Sequence, residues 1–205
     1  LENTLLHDEV ARQKALADAI TGIYAAYGVL GALFDRSRTG KGRVVEVSML
    51  EAMAHFAVEP YAAYFALGTV PRSQDRPRLA QAHILRTGDG GLIAIHLSSL
   101  EKFWTGLVAA LEAPQLATDA RFNTRLLRIE NYDALGAELD KLFSARPTEY
   151  WVTRLGDHDV PFAPINRVDA AVRDPQVKHL GLMVPVESPH AATHAVRPAV
   201  QFDGQ

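Results

Sequence analysis

The alternation of apolar and polar positions changes character several times along the chain. Residues 1–17 are polar and loosely patterned. From Asp18, Ile20, Ile23, Tyr24, Tyr27 and Phe34 fall near helical spacing, which predicts a helix ending around Arg36 and Arg38. Gly22, Gly28 and Gly31 leave that helix slim on one side and predict close packing there. Gly40 and Gly42 supply a sharp turn into Arg43–Met49, whose β-branched alternation predicts a strand with Val45 and Val47 on one face. A second helix should follow, interrupted near Pro60 and ended by Gly68. Residues 69–82 carry prolines and charges without an apolar period and read as a linker.

The later chain has another texture. Two short strands around Gly88–Gly91 predict a hairpin. Ser98 with Glu101 suggests a capping box, ahead of a stripe of Leu100, Phe103, Trp104, Leu107, Val108 and Leu111. Asn131 is placed to cap a helix carrying Leu135, Leu139, Leu142 and Phe143. Thr148 is placed to cap a shorter one carrying Trp151 and Leu155, closed by Gly156. "VPFAPI" is a short extended piece, "NRVDAAVRDPQVKHLG" reads as two helical turns, and "LMVPV" and "AVRPAVQF" are extended. No internal repeat or low-complexity run is present.

Composition narrows the function classes. The 205 residues have a formal net charge of −3 and no cysteine. Disulfides, thiolate metal ligands and thiol nucleophiles are therefore excluded, and a reducing, cytoplasmic setting is expected. Without a long basic run, nucleic acid is not expected as a partner. Apolar runs broken by charge or proline short of ~18 residues argue against a membrane span. "LENTLLHDEVARQK" lacks the apolar middle of a secretory leader.

Thr39–Gly42 invites comparison with a phosphate-binding loop. Such a loop needs a glycine where Asp35 stands and a hydroxyl residue where Gly42 stands. It also needs the strand before the glycines, the reverse of the order here. A plain helix-to-strand turn explains the stretch. The basic cluster Arg36, Arg38, Lys41 and Arg43 reads first as a solvated helix end, with a nucleotide phosphate as the other possibility. The histidines, among them His83, His96, His158, His179, His190 and His194, form no ligand set, so no metal is expected. Trp104, Phe103 and Trp151 read as core anchors. Asp18 admits two roles at the head of its helix: a cap accepting backbone N–H bonds, or a nucleophile facing those same donors. Periodicity does not separate them.

Five stretches taken in order carry a resemblance. "ADAITGIYAAYGVLGALFDRSRTGKGRVVEVSMLEAM", "GDGGLIAIHLSSLEKFW", "LATDARFNTRLLRIENYDAL", "DVPFAPINRVDAAVRDPQVKHLGL" and "VRPAVQFDG" resemble the family III CoA-transferases, the carnitine-dehydratase and bile-acid-inducible group. The resemblance implies an acyl-CoA:carboxylate CoA-transferase, with a coenzyme A thioester as substrate and no permanently bound cofactor. Asp18, in "ADAITG", matches the family's nucleophile, which passes through an aspartyl-CoA thioester. No CoA-contact residues are assigned. Related 2-methylacyl-CoA racemases use the matching Asp in an acid–base pair. They tend to carry glycines after it, whereas Ala19-Ile20-Thr21 looks more like the transferases. A non-catalytic oligomerisation module is a third reading. The implied fold is α/β: a partial Rossmann-like large domain over 1–70, a linker at 71–82, a smaller α+β domain over 83–185, and a return segment at 186–205. The implied assembly is an interlaced homodimer.

Overall fold

The computed structural model describes residues 2–98, 100–187 and 193–202. His190 and the end of the "VRPAVQFDG" stretch lie outside the described residues. The chain divides into two compact units, Leu1–Arg72 and Ser73–Gln205.

Unit 1 is helical among its described residues. α1 spans Glu2–Thr39, α2 Met49–Phe56 and α3 Val58–Leu67. α1 starts well before the expected point, because residues 2–17 contain neither glycine nor proline and are rich in Leu, Ala, Glu, Lys and Arg. Helix propensity prevails there without a clean apolar stripe. The expected strand Arg43–Met49 is absent: residues 41–48 have no regular structure. Alternation suits a strand, but a strand exists only against a neighbour it can bond to. Ser48 caps α2, accepting from the Glu51 amide at 3.1 Å while its hydroxyl donates to the Glu51 carboxylate at 2.5 Å. The break between α2 and α3 falls at Ala57, so Pro60 sits in the first turn of α3, where its missing N–H costs no helical bond. Gly68 ends α3 in the left-handed conformation, at φ 67°.

In α1, Asp18 and Asp35 interrupt the apolar run just short of the ~18 residues of a span. Its Ala19–Phe34 stretch is uncharged. Within Gln13–Thr39 a window of 18 residues nevertheless reaches a mean hydropathy of 1.4, so this helix is by length and composition alone long and apolar enough to cross a membrane.

Unit 2 opens with α4, Asp75–Ala80, inside the segment expected to be a linker. β1 (Ala82–Arg86) and β2 (Leu92–His96) form the expected antiparallel hairpin. β3 (Phe162–Pro164) adds to the free edge of β2, giving the order β1-β2-β3. Between them lie α5 (Glu101–Ala110), α6 (Gln115–Thr118), α7 (Arg125–Glu130), α8 (Tyr132–Phe143) and α9 (Thr148–Asp157). After β3 come α10 (Val168–Ala171), α11 (Pro175–His179) and the two-stranded sheet of β4 (Met183–Val186) with β5 (Thr193–Val196).

One continuous core holds unit 2. Leu85, Ile93 and Ile95 point from the inner sheet face onto Trp104, Leu107, Leu135, Leu139, Phe143, Trp151 and Leu155. Trp151 stacks on Phe143 at 4.5 Å and donates its indole N–H to the Phe143 carbonyl at 2.8 Å, so its polar atom is satisfied inside the core. The expected caps fare unevenly. Leu100 caps α5 without a side-chain bond, and Ser98 sits instead at φ 54°. Asn131 does precede α8, but its amide donates backwards to the Leu127 carbonyl, closing α7. Thr148 is the first residue of α9, after Pro147, and its hydroxyl bonds Asp89 and Thr87 in the hairpin turn.

Candidate active site

Asp18 lies well inside α1, sixteen residues after Glu2, and not at a helix start. The amides that follow it are engaged in the helix, so the orphan N–H donors expected around it are missing. Its side chain is exposed. Thr21, one turn on, donates its hydroxyl to the Ala17 carbonyl at 2.7 Å and does not cap a ligand. Gly22 leaves open space where a side chain would stand. Asp18 is thus an accessible carboxylate beside a bare stretch of helix.

Of the three slimming glycines, only Gly28 makes a tight contact. A Cβ there would stand 2.7 Å from Cγ1 of Val45, while nothing lies near Gly22 or Gly31. The Val45 segment therefore lies directly on α1 at Gly28. A cavity of about 370 Å³ opens beside this contact, with Tyr24, His55, Ser48, Glu46 and Glu51 among its lining residues. The Tyr24 hydroxyl and Nδ1 of His55 are 2.5 Å apart, with the rings edge to face at 5.5 Å. Sequence reasoning missed this pair: 31 residues separate its members, and no spacing rule joins two helices. Asp18 does not line the cavity. Six residues from Tyr24, it is displaced by ~9 Å along α1 and turned ~120° around it.

The other expected residues stay apart. Arg43 pairs with Asp35 at 2.7 Å, and the Arg38 guanidinium lies 5.8 Å from the Phe34 ring centroid. No group of three or more His, Asp or Glu placed to hold a metal exists among the described residues. His83 is buried in unit 2 and stacked on Tyr132 at 4.3 Å, with Nε2 unpartnered. Burial pushes its pKa down to about 4, against the opposing pull of Asp140 and Asp133. It lines a second cavity, of about 490 Å³, with Gln74, Pro77, Ile84 and Tyr132.

Comparison with known proteins supplies what geometry leaves open. The sequence model of CoA-transferase family III matches residues 7–205. An acetyl-CoA:oxalate CoA-transferase of Acetobacter aceti is 29% identical over 83% of this chain and 46% of its own length. The human succinyl-CoA:glutarate CoA-transferase is 27% identical over 95% of this chain and 45% of its own. Among solved structures, a CAIB/BAIF family protein from Brucella suis superposes with a TM-score of 0.76 at 29% identity, over 92% of this chain and 49% of that one. The chain spans about half the length of the curated relatives it matches.

Proposed function

This chain belongs to CoA-transferase family III, and from that premise we propose that it acts in acyl-CoA:carboxylate CoA transfer with Asp18 as the nucleophile. The observation that carries the reading is the family match over residues 7–205, a span that includes Asp18. The exposure of Asp18 is consistent with attack on a bulky thioester. Its carboxylate adds to the thioester carbonyl and expels CoA as the thiolate, leaving a mixed anhydride. The thiolate returns to the aspartyl carbonyl, releasing the donor acid and forming an aspartyl-CoA thioester. The acceptor carboxylate attacks that thioester, and CoA then moves to the acceptor's acyl carbon while Asp18 is regenerated. Each step exchanges one acyl bond for another and needs no redox partner. The reading extends to a cytoplasmic, interlaced homodimer with no resident cofactor.

The relatives' names make oxalate and glutarate the first acceptors to try, with acetyl-CoA and succinyl-CoA as donors. Incubation with donor followed by hydroxylamine or borohydride should modify the peptide containing Asp18, and Asp18→Asn should abolish both labelling and turnover. Turnover with an unlabelled Asp18 overturns the assignment. Exchange of an α-proton with deuterated solvent, without any acceptor acid, would replace it with 2-methylacyl-CoA epimerisation.

A further inference from the structure

The free edge of β1 is closed at both ends and open in the middle. β2 lies on one side of β1 only, in the order β1-β2-β3. The Gln81 carbonyl accepts from the Leu97 amide at 3.3 Å, and the Thr87 amide donates to the Gly91 carbonyl at 3.0 Å, so the odd-numbered residues here bond to β2. By the alternation of an antiparallel ladder, Ala82, Ile84 and Arg86 turn their backbone N–H and C=O groups outwards. Helix α8 meets the first and the last. The Tyr132 hydroxyl donates to the Ala82 carbonyl, and the Asp140 carboxylate accepts from the Arg86 amide at 3.2 Å. These contacts are ~12 Å apart along the helix and ~13 Å apart along the strand, so α8 runs beside the edge. Between Tyr132 and Asp140 on the same helix face stands Gly136, which has no side chain to offer Ile84. Among the described residues the Ile84 N–H and C=O have no partner.

The cavity of about 490 Å³ lined by His83 and Tyr132 lies at this place. Ile84 lines it too, and Pro77, Ala94 and Ile95 add apolar walls. Its volume falls within the ~300–1,000 Å³ of ordinary small-molecule sites. Among the described residues no Lys, Arg, Asp or Glu lines it, and burial keeps the His83 imidazole neutral, so the lining holds no charge to grip an ion. His83 is only 5% exposed, and its Nε2 is unpartnered. Unpaired buried polar atoms are rare in folded proteins, and one beside a cavity points to an occupant.

The N–H and C=O of one extended residue leave the strand edge side by side. A carboxylate would accept from the Ile84 N–H but press an oxygen against its carbonyl, and an ammonium would do the reverse. A primary carboxamide answers both groups at once, its oxygen accepting and one N–H donating. We propose that this cavity is a binding site for a neutral ligand that sets a carboxamide against the Ile84 backbone and an apolar body against Pro77, Ala94 and the Ile84 side chain. All of these residues belong to unit 2 and none takes part in the transfer steps, so the inference stands apart from the Asp18 reading.

The test titrates 2-naphthamide into the isotope-labelled chain and follows its backbone amide resonances. Saturable shifts should centre on Ile84 and its neighbours in the cavity. N,N-dimethyl-2-naphthamide keeps the apolar body and the carbonyl but has no N–H, and it should bind about tenfold more weakly or worse. The anion 2-naphthoate should lose as much. Ala94 stands on the outer sheet face, half-buried at the cavity wall, so Ala94→Leu fills the space and should also weaken binding about tenfold or more. Unchanged resonances away from the cavity check that this variant stays folded, and the analogue comparison decides the question without it. Naphthamide that leaves Ile84 unshifted up to its solubility limit overturns the proposal. So do shifts centred elsewhere, a dimethyl analogue or naphthoate that binds equally well, and undiminished binding to the folded Ala94→Leu variant.

Discussion

Arg128 shows how much one side chain can organise. It is fully buried, its Nε donating to Gln81 at 2.8 Å, one terminal nitrogen to the Phe122 carbonyl at 3.1 Å and the other to Glu101 at 2.8 Å. Its guanidinium lies 4.5 Å from the Trp104 ring centroid. Glu101 is 60% exposed, so the ionic part of this arrangement is screened and worth little, while Gln81 and Phe122 are buried and would be left unpaired. Arg128→Ala should therefore cost about 3 kcal/mol in urea unfolding, and Glu101→Gln less than about 1 kcal/mol. His83 gives a pH dependence of definite sign. Its folded pKa, about 4, lies below the ordinary 6.5, so the unfolded chain takes up the proton first. Stability is unaffected by this group above pH 6.5 and falls as pH drops from 6.5 towards 4, by roughly 3 kcal/mol. His83→Gln should flatten that acid limb; a limb of unchanged steepness would remove His83 as its cause. Neither role was legible in the sequence, because burial and most partners arise from positions 24 to 57 residues away.

At the scale of elements, local signals were legible and pairings were not. The β1–β2 hairpin and helices α8 and α9 appear where turn chemistry and periodicity place them. The strand at 43–49 does not, since its pattern specifies a face but no partner. Asp18 was misplaced for a related reason: a change in patterning marks where an apolar stripe begins, and helix α1 had begun earlier on propensity alone. Gly106, inside α5, tests packing against propensity. Alanine is the better helix former by ~1 kcal/mol. A Cβ at Gly106, however, would stand 2.5 Å from the His158 carbonyl oxygen, a backbone atom that cannot turn aside. Overpacking of this kind costs ~1–3 kcal/mol and should win, so Gly106→Ala should lower the urea midpoint. Gly156 in α9 has nothing near its missing Cβ, and Gly156→Ala should raise it. If Gly106→Ala raises the midpoint as Gly156→Ala should, the contact between α5 and the turn after α9 does not exist as described.

Across the whole molecule, the two units are held together very differently. The continuous core of buried apolar residues lies entirely within unit 2, whereas Ile20 and Ala52 are the buried hydrophobics of unit 1 among the described residues. Tyr27, Phe34, Leu50 and Phe65 in unit 1 all expose more than half their surface. Burial is the main favourable term in folding, so helices that bury so little have little to offset the entropy of ordering them. α2 and α3 are also short of the ~12–15 residues at which an isolated helix becomes even marginal in water. Hydrogen exchange on the chain as given should then divide by unit. Amides of β2 and α8 should open only with global unfolding and be protected at least ~100-fold more than those of α2 and α3, which open locally. Equal protection would mean that the apolar surfaces of unit 1 are covered in solution, and a concentration dependence of that protection would identify the cover as a second copy of the chain. Protection of α1 that rises only on adding lipid vesicles would assign its uncharged Ala19–Phe34 stretch to a membrane surface instead.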